Sequence, residues 1–130
     1  MSNVKYLYLN TRTELYRIET ASLAYFEADG NYTSFYLRNQ KRGTVTMNLA
    51  RMQELLNERM KGDTGTFARV GKRHIINLAY VYHIDLPRQR LTLSDGCGFT
   101  CTLDISKEAL RQLKDLFVAA AKTSTKPCDD

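Results

Sequence analysis

Phe67-Ala68-Arg69-Val70-Gly71-Lys72-Arg73-His74-Ile75-Ile76-Asn77 is the stretch on which the reading of this chain turns. Three basic residues and a histidine crowd its middle. Phe67 and Val70 precede them, and Ile75, Ile76 and Leu78 follow. Apolar flanks of this kind anchor in a core, which leaves the middle as a short cationic connection held out from it. A rigidly mounted basic loop is what a protein needs to place charge against a phosphate backbone. Strand alternation sets Arg69 opposite Ala68 and Val70, so it is expected in a structural pair, with Glu27 as its partner.

Outward from this stretch the pattern is mostly that of strands. Tyr6–Leu9 and Glu14–Ile18 alternate around the polar Asn10–Thr13, and Leu23–Glu27 is a third run. Asp29-Gly30-Asn31 marks a turn, because Gly and Asn tolerate positive φ. Tyr32–Arg38 alternates most cleanly, with Thr33, Phe35 and Leu37 on one face. Thr44–Met47 follows. The period then changes: Leu49, Met52, Leu56 and Met60 recur at helical spacing behind Asn48, a suitable N-cap. Gly62–Gly65 ends that helix. Beyond the basic stretch, Val81–Leu86 and Arg90–Ser94 read as a hairpin about Pro87-Arg88-Gln89, and Cys97–Leu103 as the last strand. Ile105, Leu110, Leu113, Leu116 and Phe117 make an amphipathic helix capped by Ser106. The expected fold is mainly β with two helices, its short sheets mainly antiparallel. One domain spans residues 1–122, and 123–130 is expected as a disordered tail.

Composition narrows the function. At 130 residues the chain holds one domain with a real core. No apolar run reaches membrane-spanning length and the N-terminus lacks a signal-peptide core, so the expected location is the cytoplasm. The net charge of +5, from 19 Lys+Arg against 14 Asp+Glu, favours a polyanionic partner without requiring one. Cys97, Cys101 and Cys128 are an odd set, and Cys97 and Cys101 on one strand would share a face too far apart to bridge, so free thiols are expected. No paired C-x-x-C exists to hold a metal, and no cofactor is expected. Enzymatic chemistry has no foothold either. The acids show no paired pattern, no serine sits in a nucleophile elbow, no Gly-rich phosphate loop exists, and His74 in a cationic setting is a poor general base. Tyr6, Tyr8, Tyr16, Tyr80 and Tyr82 are expected to pack on sheets, and Asn77 to satisfy backbone groups.

In this order, these residues resemble the LytTR family of bacterial DNA-binding domains. The stretch from Phe67 to Asn77 is similar to the family's F-x-R-V-H-R/K-S-Y-I-V-N signature. Tyr25–Tyr32 resembles its acidic strand end and G-N-Y turn, the helix from Leu49 to Met60 sits between the two, and Leu91–Gly96 with a C-terminal helix matches its close. The resemblance covers roughly residues 4 to 120. It implies an elongated arrangement of short sheets with small helices that reads duplex DNA through loops laid into successive major grooves. It also implies transcription regulation on direct-repeat sites. Relatives often follow a response regulator's receiver domain or a membrane sensor; neither is read in this sequence, and a stand-alone member is expected, with a fragment of a longer chain as the alternative.

Site residues carry over by position. The signature's base-contacting basic residue falls on Lys72, its histidine on Gly71, its serine on Arg73 and its tyrosine on His74. Lys72 is expected to read bases, with Arg73 and His74 holding phosphates. The contact near the G-N-Y turn falls on Asn31 or Tyr32: Asn can read adenine, and Tyr can bond a phosphate or pack on a thymine methyl. The family's Arg before the last helix is absent, Asp104 stands nearby, and only Lys107 can substitute. Arg90, anchored by its strand, is expected on phosphate ahead of Arg88. The expected partner is double-stranded DNA, with no small-molecule substrate; a homodimer or a partner regulator stays open, since direct repeats also permit two monomers side by side without a stable dimer. Two other readings remain at this point: a protein-interaction module on the same scaffold that modulates another regulator, and a small β RNA binder preferring single strands.

Overall fold

The computed structural model describes residues 5–60 and 67–121. The turn at 62–65, Cys128 and the 123–130 tail lie outside the described residues.

Neighbouring residues that are both buried decide the layering. Tyr25 and Phe26 adjoin along one strand, as do Ile75 and Ile76 along another, so each pair points to opposite faces. All four are nonetheless buried. A sheet that contains them is covered on both sides. Its central strand is β3 (Leu23–Asp29), flanked by β4 (Tyr32–Leu37) and β7 (His74–Asn77). β5 (Arg42–Val45) and β6 (Phe67–Val70) are the edges. Every pairing in it is antiparallel.

One face carries the hairpin of β1 (Tyr6–Asn10) and β2 (Leu15–Glu19) together with helix α1 (Leu49–Arg59). Leu7, Leu9 and Ile18 from the hairpin and Met52 and Leu56 from α1 pack there against Phe26. The Asn48 side chain caps α1 by accepting from the Arg51 N–H at 2.8 Å. The other face carries a three-stranded antiparallel sheet, β8 (Val81–Asp85), β9 (Arg90–Ser94) and β10 (Thr100–Asp104), and helix α2 (Lys107–Ala121). Leu91, Leu93, Leu110 and Leu113 close on Val70 and Ile76. Burying a side chain of this size stabilises by roughly 1.5–3 kcal/mol, so the two cores hold the sheet from both sides. Ser106 caps α2, its Oγ accepting from the Ala109 N–H at 3.3 Å.

The fold departs from the sequence reading in a few places. β5 starts at Arg42, not Thr44, because Thr33 aligns with Val45 and residues 46–48 already lead into α1. β10 starts at Thr100, not Cys97. The Asp95 carboxylate accepts from the Cys97 and Phe99 N–H groups at 2.8 and 3.0 Å and holds that segment as a turn. Cys97 is therefore exposed in the turn rather than on the face of Cys101; both are free thiols. Burial pushes the Cys101 thiol up to about 11. Tyr16 packs edge-on against Phe35 and Tyr80 donates to the Ala21 carbonyl, but Tyr8 and Tyr82 are exposed, against expectation. Asn77 is buried and satisfies backbone at both ends: its Nδ2 donates to the Leu23 carbonyl at 2.8 Å, and its Oδ1 accepts from the Ala79 N–H at 3.0 Å.

Candidate nucleic-acid interface

Register alone brings two of the expected contact turns together. His74 pairs with Val70 on β6 and with Glu27 on β3, while Asp29 pairs with Tyr32. The β6–β7 turn, Gly71–Arg73, and the β3–β4 turn therefore emerge from the same end of the five-stranded sheet. A hydrogen bond from the Ala28 N–H to the Arg73 carbonyl, 2.8 Å, ties them side by side. Asn31, Tyr32, Lys72 and Arg73 are all exposed there.

The basic turn is held from three sides. Gly71 takes a φ of +71°, a left-handed conformation that glycine adopts without strain. A Cβ at that position would stand 3.6 Å from that of Ala109, so the turn passes close over the first turn of α2. Arg69 forks between the Lys72 carbonyl at 3.0 Å and Gln53 Oε1 on α1 at 3.3 Å. Its expected partner is Glu27, but the arginine points to the α1 side of the sheet while Glu27 lines the cleft on the α2 side.

Glu27 instead sits beneath the turn, with its Oε2 3.6 Å from Arg73 and 3.4 Å from His74 Nε2. Arg73 also donates to the Ala28 carbonyl at 3.3 Å and keeps a side chain that is 65% exposed. His74 differs from the expectation. It lies within the β7 register rather than in the turn, so its ring is buried and directed at Glu27. Burial holds the imidazole below its ordinary pKa; the Glu27 carboxylate pushes the other way and Arg73 adds to the lowering. At neutral pH the ring is neutral.

Across a cleft of about 800 Å3 from the basic turn lie the end of β10 and the start of α2. Glu27, Asp104 and Glu108 line it against Lys72 and Arg73. Lys107, exposed, is the first residue of α2. Arg90 is exposed and loosely paired, with Nε 3.7 Å from Asp104 Oδ1. Arg88 is engaged within its own turn by Asp85 at 3.1 Å. The sequence reading missed Glu27 as the shared counter-charge of Arg73 and His74, Asp104 as the partner of Arg90, and the Arg69–Gln53 link. Only the strand alternation around Arg69 carried a local signal for any of them.

Among the described residues no helix is long and apolar enough to cross a membrane, and no group of His, Cys, Asp and Glu could hold a metal ion.

Comparison with known proteins bears on what this end of the sheet does. The family model described as the LytTr DNA-binding domain matches residues 13–118. No curated protein matches the chain. Among solved structures, the fold is similar to the LytTr DNA-binding domain of a Bacillus cereus protein described as a methyl-accepting/DNA response regulator. The identity is 18%, the match covers 87% of this chain and 96% of that one, and the TM-score is 0.61.

Proposed function

The chain belongs to the LytTR DNA-binding domain family, and from that premise we propose that it regulates transcription by sequence-specific binding to duplex DNA. The family is one of DNA-binding domains and not of enzymes, and it favours DNA over the interaction-module reading. The β6–β7 turn enters a major groove, where Lys72 contacts base edges and Arg73 a phosphate. His74 acts from below, through Glu27 and Arg73, and not as a free phosphate donor. Asn31 and Tyr32 supply a second contact from the adjoining turn. Arg90 and Lys107 meet phosphates on the far side of the cleft, and two copies occupy direct repeats.

The observation that carries this reading is the Arg69 fork, which fixes the Lys72 turn to α1 while leaving the Lys72 and Arg73 side chains exposed. A rigid mount removes the ordering penalty that a floppy basic loop would bring to the complex.

The test is a titration of labelled duplex and single strand at several salt concentrations. A few phosphate contacts give a log–log slope of about −3 to −5 on duplex. Arg73→Ala flattens it by about 1 and weakens all sequences alike, whereas Lys72→Ala relaxes discrimination at one position. Duplex affinity unmoved by both substitutions refutes the assignment of this turn.

A further inference from the structure

At the opposite end of β4, whose six residues span roughly 17–20 Å, lies a second cleft of about 300 Å3. Its chemistry differs from that of the first. Glu27, Asp104 and Glu108 offset Lys72 and Arg73 in the DNA-side cleft, but the second holds Lys41 and Arg42 with no carboxylate in its lining. Neither cation has an ion-pair partner among the described residues.

The rest of the lining suits the same kind of guest. Tyr25 and Tyr36 stack at 4.4 Å with their planes 12° apart and form an aromatic wall. Neither hydroxyl is hydrogen-bonded to a protein group among the described residues. Burial raises the pKa of the Tyr25 phenol, and Cys101, Tyr36 and Glu27 add to the rise against Arg42, so it stays protonated and a donor. The hairpin that presents the cations is fixed: the Leu37 N–H donates to the Lys41 carbonyl at 2.9 Å, and the Lys41 N–H to Asn39 Oδ1 at 3.0 Å. A cleft lined by an ammonium, a guanidinium and two phenols, with Glu27 reaching Tyr25 only from outside the lining, offers more donors than a carboxylate uses. It matches the three acceptor oxygens of a phosphate monoester. The volume is that of roughly ten water molecules, enough for a phosphate and one ring.

We propose that this cleft, between the β4–β5 turn and the Phe99–Cys101 segment, binds a small phosphate monoester carrying a flat ring. Lys41 and Arg42 take the phosphate and the tyrosine pair takes the ring. The site stands apart from the DNA-contacting turns and does not depend on their assignment.

The test is NMR titration of the whole chain, without DNA, using phenyl phosphate and then inorganic phosphate. Phenyl phosphate produces saturating shifts at the amides of Tyr36, Lys41, Arg42 and Cys101, and binds about ten-fold more tightly than inorganic phosphate. Lys41→Ala and Arg42→Ala each weaken it by about ten-fold. Tyr36→Leu, with its folding checked by the dispersion of the same spectrum, removes the preference for the ring and leaves inorganic phosphate binding in place. Shifts that do not saturate, shifts as large at Lys72 and Arg73, or equal affinity for the two probes overturn the proposal.

Discussion

The Arg69 guanidinium donates to the main-chain carbonyl of Lys72 at 3.0 Å, so the strand that leads into the basic turn also locks it. The same side chain reaches Gln53 on α1. Because Arg69 is exposed, these bonds add little to stability, and their effect falls on the placement of Lys72. Arg69→Ala should lower duplex affinity by about ten-fold while lowering unfolding free energy by about 1 kcal/mol or less. Arg69→Lys should not restore binding, because one ammonium cannot reproduce the planar fork. Fluorescence anisotropy and urea unfolding on the same samples check both; affinity that tracks stability alone would leave the clamp without a role in binding.

Asn77 presents a contrasting case. It bridges the Leu23 carbonyl and the Ala79 N–H from a buried position. Asn77→Ala strands one buried acceptor and one donor, which should cost about 2–4 kcal/mol of stability. Binding by the fraction still folded should be unchanged. The denaturant midpoint measures the first and a titration at low temperature the second.

Alternation and the change to helical spacing made the elements legible in the sequence, and with them the mainly β fold. Tyr32–Leu37 and the Leu49–Met52–Leu56 stripe lie where their periods put them. The ends were harder to read where a side chain, not a period, ends the strand. Asp95 holds 95–99 as a turn through two backbone bonds, and no hydrophobic pattern reports that. The exposed candidates Asn31, Lys72 and Arg73 were legible because they sit in turns, and Tyr32 because it opens the strand that leaves one. His74 was not: its burial follows from pairing with Glu27, a residue 47 positions earlier, and non-local register leaves no trace in local composition. The Arg69–Gln53 link is equally non-local.

That burial has a pH signature. The unfolded chain protonates this imidazole near the ordinary value of 6.5, the folded chain only below it. Between the two values the unfolded state holds more protons, so stability rises with pH across that window and falls as pH drops from 6.5 toward the folded value. Glu27 and Arg73 are the charges facing the ring. Asp85 and Asp95 are held below 3.8 by hydrogen bonds, from Arg88 in one case and from Cys97 and Phe99 in the other, and titrate below the pH range over which melting is to be measured. Melting temperatures from about pH 8 to about pH 5 should decline for the natural chain, and His74→Gln should flatten the decline. An equal slope in both proteins assigns the effect to another group.

Glu27 decides between two roles for the charge beneath the turn. Its Oε2 lies 3.6 Å from Arg73, but the pair is 65% and 30% exposed, so it adds little to stability. If Glu27 restrains Arg73, Glu27→Gln frees a cation for phosphate. Duplex affinity at low salt then rises several-fold while the salt slope stays where it was, because Arg73 already accounts for one neutralised phosphate. If Glu27 aims Arg73, affinity falls and the slope becomes shallower. The Arg73 bond to the Ala28 carbonyl survives the substitution and already aims the guanidinium, so the first outcome is expected. The same substitution removes the carboxylate that raises the His74 pKa, so the window in which stability depends on this ring should extend to lower pH. One variant thus tests the proposed DNA contact of Arg73 through its affinity and salt slope and the buried pair through its melting curve, and agreement between the two would tie the neutral histidine to that arginine.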